Sequence, residues 1–389
     1  VTEKTQKPAE IRALAGARAL PPLLIILFHF SEGHHYSGIG WFDLIASHGY
    51  LWVEFFFALS GFILTHVYGA RAAMLFTAKG YGSFLRARLT RLYPLHLFML
   101  LALLALLLTA RAFAHWGGYR AIYDMPNHPN IRVNGFFLSV FLMQAWNTMD
   151  RLTWNGASWF VSVEFALCLL FPLFARLSNG RIWRGFALIA AGSAGLILLD
   201  VTSGHGLDLT FHNGVLRGLA DFAVGVGMAV LYRWWKPRDT LPTALHSLIQ
   251  LLLLFALVYA FEHTGWSHTP RDIWNVLPML ALVLALSFDR GFVAQALKTR
   301  IPQVMGSWSY AIYMGQTFWL QEMRTLQQRF YPPDNALVLG TRFSTLLWWL
   351  EPTLLVLVCI LWGALLANLV EHPATRALNR FYAQRKNQK

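Results

Sequence analysis

Apolar residues fall in long runs separated by short polar stretches. Ten runs are candidates to cross about 30 Å of hydrocarbon as helices. They are 19–33, 50–69, 92–110, 158–175, 185–200, 214–232, 243–261, 273–288, 304–322 and 345–370. An eleventh, 133–146 (VNGFFLSVFLMQAW), has 14 residues. At that length a re-entrant or interfacial segment competes equally with a span. No repeat or low-complexity tract interrupts the pattern.

Charge decides the count, because cytoplasmic segments collect Lys and Arg. With ten spans and a cytoplasmic N-terminus, 23 of the 32 Lys and Arg residues fall inside, eight fall outside, and Arg217 lies within a run. Making 133–146 an eleventh span would put every later basic loop on the wrong side. The expected fold is therefore an all-α polytopic membrane bundle of about ten helices with both termini cytoplasmic. Segment 133–146 should lie against the outer face with its Phe and Leu side chains in the bundle. The loop 111–157, rich in His, Asn, Trp and Gly, would then be the largest outer surface.

Composition agrees. Residues of the AVILMFWYC set make up 56% of the chain and charged residues 13%, against an ordinary charged share of about 25%. Disorder and a disulfide scaffold are excluded by the apolar content and by only two cysteines. A net charge of +13 would suggest nucleic acid in a soluble protein. Here the loop asymmetry accounts for it, and no nucleic-acid partner is expected. Residues 1–17 lead straight into the first run, so no cleaved leader is expected.

Ionisable groups within spans are costly and mark function by default. Arg18 and His29 bracket ten uncharged residues, about 16 Å of helix, broken early by Pro21 and Pro22. A snorkelling arginine and a hydrogen-bonded core histidine would also explain the pair. Glu54 opens an aromatic run and could simply face water, while Ser60 and Gly61 downstream suit close helix packing. Glu164 sits two turns inside its span, where a carboxylate must be protonated, paired or exposed to a polar cavity. Arg217 and Asp221, four apart, suit an intrahelical salt bridge. Arg86, Arg88 and Arg91 form either a positive-inside cluster or a phosphate site, since guanidinium forks match phosphate oxygens. His34-His35, with His29 and His48 nearby, has no accompanying metal-ligand motif, so no metal is expected. A Ser-His-Asp nucleophile arrangement is likewise absent.

Together these strings resemble the bacterial membrane-bound acyltransferase family 3. Arg18 to His29 matches its Arg-x10-His signature. VEFFFALSGFIL (53–64) is similar to its V-D-L-F-F-V-L-S-G-F segment. FLRARLTRLYPLH (84–96) resembles its basic segment, and SWFVSVEFALCLLFP (158–172) its Ser-Trp-x-x-S-V-E helix. RGLADFAVGVGMA (217–229), Ser309-Tyr310-Ala-Ile-Tyr313 and Glu371-His372-Pro373 follow in family order. Three positions depart from the pattern. Phe160 stands where serine is common, Trp52 where glycine is usual, and Gln316 where the family often has histidine.

The resemblance implies a transmembrane acyltransferase domain over 1–373 and a basic cytoplasmic tail over 374–389, in the bacterial inner membrane. The family's frequent fused hydrolase-like domain is not expected here. It implies transfer of an acyl group, acetyl by default, from cytosolic acyl-CoA to a hydroxyl of a cell-surface glycan or lipid-linked saccharide. No permanently bound cofactor is implied, and other polysaccharide-assembly proteins are potential partners. His29 would be general base or acyl acceptor, since an imidazole titrates near neutral pH. Arg18 would polarise the thioester or bind CoA, and Glu164 would orient or charge-balance the histidine. Arg86, Arg88 and Arg91 would hold acyl-CoA. Glu54, Ser60, Arg217, Asp221, Tyr310, Tyr313 and Glu371 would be structural or accessory. A proton- or anion-coupled transporter and a non-catalytic glycan-assembly scaffold are the competing classes.

Overall fold

A computed structural model describes residues 8–31, 40–117, 130–179, 181–264, 271–330 and 341–387. His34, His35 and much of the loop expected at 111–157 lie outside the described residues. Helices and turns make up those residues, with no strand among them. In chain order the helices are α1 (Arg12–Ala17), α2 (Leu20–Ser31), α3 (Gly40–Ser47), α4 (Trp52–Tyr68), α5 (Ala78–Gly117), α6 (Val133–Val140), α7 (Trp159–Leu177) and α8 (Ile182–Thr202). They continue as α9 (Gly214–Trp235), α10 (Thr243–Thr264), α11 (Ile273–Ser287), α12 (Phe292–Leu297), α13 (Arg300–Phe330), α14 (Thr341–Leu366) and α15 (His372–Asn387).

Eight described stretches are long and apolar enough to cross a bilayer. The two remaining expected spans fall on α11 and α13. With 15 residues, α11 is about 22 Å long, short of the hydrocarbon core. On α13 the apolar density is diluted by Gln303, Ser307, Ser309 and Gln316. Both still take their place in an up-and-down bundle, as the interhelical hydrogen bonds show. At one end, the Asp289 carboxylate after α11 accepts the Ala13 amide at 2.7 Å, and Gln303 of α13 donates to the Arg12 carbonyl at 2.7 Å. At the other end, Asp200 of α8 accepts the Ile273 amide at 3.2 Å, and Asp272 accepts that of Leu207 at 2.8 Å. The first end carries most of the Lys and Arg residues and is called the basic end below.

The innermost helix is α9, whose span is 83% buried against 22% for α8 and α10. Small residues make that possible: a β carbon on Gly225 would collide with the Ala58 carbonyl, and one on Gly61 with that of Phe222. Backbones of α4 and α9 thus touch directly, as membrane helices do when small residues line the seam. The periphery exposes Leu198 of α8, Phe255 of α10 and Leu361 of α14, each by more than 60%. Such faces belong against acyl chains rather than water.

Segment 133–146 does not cross. Its helix α6 has eight residues, about 12 Å, and runs into a sharp turn where Leu142 and Asn147 take positive φ. It also does more than lie on the surface. Tyr93 and His96 of α5 meet the Val140 and Ser139 carbonyls at 3.1 and 2.8 Å. Ser162 of α7 donates to the Leu142 carbonyl at 2.8 Å and accepts the Ala145 amide at 3.1 Å. The segment therefore dips between α5 and α7 as a re-entrant hairpin. Side-chain burial is the reverse of the expectation in part: Phe137 and Phe141 are exposed, while Ser139 and Leu142 are buried. Turn carbonyls at that depth need protein partners, and α5 and α7 supply them.

This topology is testable with single cysteines, because both native cysteines, Cys168 and Cys359, are buried. Asn147→Cys should react with an impermeant maleimide added to intact cells, and Ser83→Cys only after permeabilisation. Labelling of both from one side would refute the re-entrant assignment.

Candidate active site

A cavity of about 340 Å³ opens at the basic end, with Pro8, Ala9 and Glu10 at its mouth. Five helices line it with the motifs singled out in the sequence. Arg18 follows α1, Ser60 comes from α4, Arg88 and Arg91 from α5, Glu164 from α7, and Tyr310 and Tyr313 from α13. Helical periodicity explains the α4 contribution. Phe56, Leu59, Ser60, Ile63 and His66 all line the cavity, and their spacing of three and four residues is one helix face.

The cavity brings Arg18, Arg88 and Arg91 together with Glu10 and Glu164. Ser60 Oγ donates to Glu164 Oε1, while Glu164 Oε2 has no hydrogen-bond partner among the described residues. Arg18 and Arg91 feel both Glu164 and the nearby Glu371. Glu371 closes a five-residue π turn, Ala367–Glu371, and is buried; such turns recur at functional sites. Tyr310 is fixed by donating to the Leu92 carbonyl at 2.7 Å, tying α13 to α5. Three guanidinium groups around one cavity could hold an anion alongside the carboxylates there.

Aromatic rings close the far end. Phe56, Phe160 and Tyr313 pack with centroids 5.7, 5.4 and 6.5 Å apart, and Phe160 stacks on Phe57 at 4.7 Å. His29 does not line the cavity. It lies half-buried in the last turn of α2, where neighbouring Phe28 meets Tyr50 at 5.2 Å. Tyr50 precedes Ser60 by ten residues of nearly continuous helix, a rise of about 15 Å. Glu164 stands at the height of Ser60 and His29 at that of Tyr50, and the hydrogen bond described for Glu164 comes from Ser60.

Other residues also depart from expectation. Arg217 does not pair with Asp221. It reaches across to Glu54 with Nε–Oε1 at 2.9 Å and Nη2–Oε2 at 2.6 Å. Its remaining donors take the Leu209 and Tyr50 carbonyls at 3.1 and 3.2 Å. Glu54 is fully buried rather than facing water, and both Asp221 carboxyl oxygens are buried with no hydrogen bond among the described residues. Arg86 is exposed and sits over the Tyr382 ring of α15 at 4.9 Å, away from the cavity. His66 was missed. It lines the cavity and meets the Ala9 carbonyl at 3.2 Å, and the periodic face begun by Phe56 and Ser60 would have found it.

The acyltransferase 3 family model, an acyltransferase domain, matches residues 11–368. The chain is 24% identical over 390 residues to Acyltransferase MdmB of Streptomyces mycarofaciens, covering 95% of this chain and 92% of that protein. It is 37% identical over 98 residues to Protein 2 in picA locus of Rhizobium radiobacter, covering 25% of this chain and 46% of that protein. No solved structure matches the chain.

The buried pair gives a stability test. Glu54→Leu should destabilise the protein by about 3–5 kcal/mol, because a desolvated guanidinium is left uncompensated. The double replacement Glu54→Leu/Arg217→Leu should recover much of that loss. Heat denaturation in detergent reads both, and a single variant as stable as wild type would show that the pair does not clamp α4 to α9.

Proposed function

This chain belongs to the acyltransferase 3 family, and we propose that it moves an acyl group, acetyl by default, from acyl-CoA to a hydroxyl of a cell-surface glycan or lipid-linked saccharide. The reading rests on one observation above all: a cavity lined by Arg18, Arg88 and Arg91 that opens at the basic end and stops at an aromatic layer. Acyl-CoA is a polyanion at one end and a thioester at the other. Its phosphates suit the guanidinium forks of Arg88 and Arg91. Its pantetheine arm has amides to offer the free Glu164 oxygen. The basic end is the cytoplasmic end under the charge rule, which is where acyl-CoA is found. The bacterial inner membrane is the corresponding location.

His29 carries the chemistry in this proposal. Eleven residues separate Arg18, in the turn after α1, from His29 in the last turn of α2. The rise of about 16 Å is on the scale of an extended pantetheine arm. The arm would thread past Ser60 and Glu164 and part the rings of Phe56, Phe160 and Tyr313. The acceptor oxygen then attacks the thioester carbonyl carbon as the imidazole takes the hydroxyl proton. A new C–O bond forms, the C–S bond breaks, and the CoA thiolate leaves toward the cavity and recovers the proton. Arg18, which lines the cavity, meets the CoA portion in this reading rather than the reacting carbonyl.

Two sets of variants test this. His29→Ala and His29→Gln should abolish acyl transfer while the protein inserts and binds acyl-CoA normally; wild-type turnover in either would sink the role of His29. Arg88→Ala and Arg91→Ala should each weaken acyl-CoA binding about tenfold or more, with strong salt dependence, as loss of charge-assisted hydrogen bonds does. Arg86→Ala serves as the control and should leave binding unchanged. Equal affinities of all three variants and wild type for CoA, and for a pantetheine lacking phosphates, would reduce the cluster to a topology signal.

A further inference from the structure

One helical turn beyond the aromatic layer, three buried side chains carry polar atoms that nothing in the described protein answers. Trp52 lies four residues from Phe56 on α4, and Gln316 three residues from Tyr313 on α13. Those spacings put each on the helix face of the ring below it. Asn155, just before α7, is bound to α13 through its Nδ2 donating to the Met314 carbonyl at 3.0 Å. The three are 5%, 1% and 2% exposed. Without partners are the Trp52 Nε1, both amide atoms of Gln316 and the Asn155 Oδ1.

Leaving such atoms buried and unmatched costs free energy. An apolar side chain of the same size would pack these positions without that cost. Gln316 is the extreme case, since neither its donor nor its acceptor is used. We propose that Gln316, Trp52 and Asn155 form the subsite for the hydroxyl-bearing acceptor, with Gln316 binding the hydroxyl that reacts. The inference rests on the acyl-transfer reading above and assigns the side of the layer that the donor cavity does not reach.

The chemistry of the set selects the ligand. The indole N–H and the amide NH₂ of Gln316 donate, while the amide oxygens of Gln316 and Asn155 accept. A hydroxyl both donates and accepts, so an alcohol or sugar satisfies this mixture. A phosphate or carboxylate does not, because two amide oxygens would face it. The location fits as well. Helix α2, which carries His29 in its last turn, packs along α13, so an alcohol held at Gln316 is on the histidine's side of the rings.

The test uses Gln316→Met, close in length and lacking polar amide atoms, in the full-length protein. The readouts are heat stability, acetyl-CoA affinity, and label passed from [¹⁴C]acetyl-CoA to the glycan of inside-out vesicles from the native strain. The variant should be at least as heat-stable as wild type and bind acetyl-CoA with unchanged affinity. Its transfer should fall about tenfold or more, as when a site built to bind a hydroxyl loses its partner. Trp52→Phe, which removes one N–H and keeps an aromatic ring, should lower transfer by a smaller factor and stands in if the first variant misfolds. Wild-type transfer by a folded Gln316→Met, or by Trp52→Phe in its place, overturns the subsite. So does loss of acetyl-CoA binding in the variant, which would put Gln316 in the donor cavity. Wild-type protein that itself fails to bind acetyl-CoA would refute the acyl-transfer reading, and the subsite with it.

Discussion

The bidentate pair of Glu54 and Arg217 sets the geometry on which the remainder depends. Both side chains are removed from solvent, and a charge in that setting is tolerable only when its hydrogen-bonding capacity is met. Here it is met: both carboxylate oxygens and all three guanidinium nitrogens are engaged. Geometry follows from that saturation. At 100° per residue, Ala58 and Gly61 lie within about 40° of Glu54 around α4, and these are the residues that meet α9. Phe56, Ser60 and Ile63 lie about 180–240° away. Pinning Glu54 to α9 therefore turns Ser60 and its neighbours toward Glu164 and the cavity. A charge pair outside the cavity lining thus fixes which face of α4 the cavity receives.

The aromatic layer divides the interior by polarity as well as by space. On its basic-end side, three arginines stand near two buried glutamates, Glu164 and Glu371, each with one oxygen that has no hydrogen bond among the described residues. On the other side, the unanswered atoms are neutral amides and an indole. Apolar rings between them raise the local cost of moving charge, so phosphates stay with the arginines. A thin thioester arm meets far less resistance. For the proposed transfer, with donor and acceptor arriving from opposite faces, such a division would keep water and free anions from crossing.

Much of this was legible in the sequence. Hydropathy and loop charge placed the helices, and the apolar excess gave the class. Side chains that act across long sequence separations were harder. The i, i+4 spacing of Arg217 and Asp221 suggested a local pair, yet the partner is 163 residues away. Local spacing carries a few tenths of a kcal/mol on an exposed helix, and a bidentate partner in a dry interior overrides it. Segment 133–146 was recognised as too short to span. Its descent between α5 and α7 depends on Tyr93, His96 and Ser162, whose partnership with its carbonyls no periodicity records. Arg86 illustrates the converse: adjacent to Arg88 in the chain, it points to α15 instead of the cavity because residues two apart occupy different helix faces.

The motif residues acquire one meaning from these relations. Arg18, Ser60, Arg88, Arg91, Glu164, Tyr310 and Tyr313 all reach one cavity, although they are scattered over nearly 300 residues of chain. His29 stands apart from them by about the length of three helical turns. Under the proposed reaction one compartment would not suffice, and the histidine stands a layer of rings away from the arginines. The proposed donor, anionic at one end and reactive at the other, would use that separation: its charge would stay with the guanidinium groups while its thioester reached the acceptor alcohol beyond the rings. In the proposed reaction the distance from Arg18 to His29 matches the length of the substrate arm, and the rings between them are the partition that arm would pass.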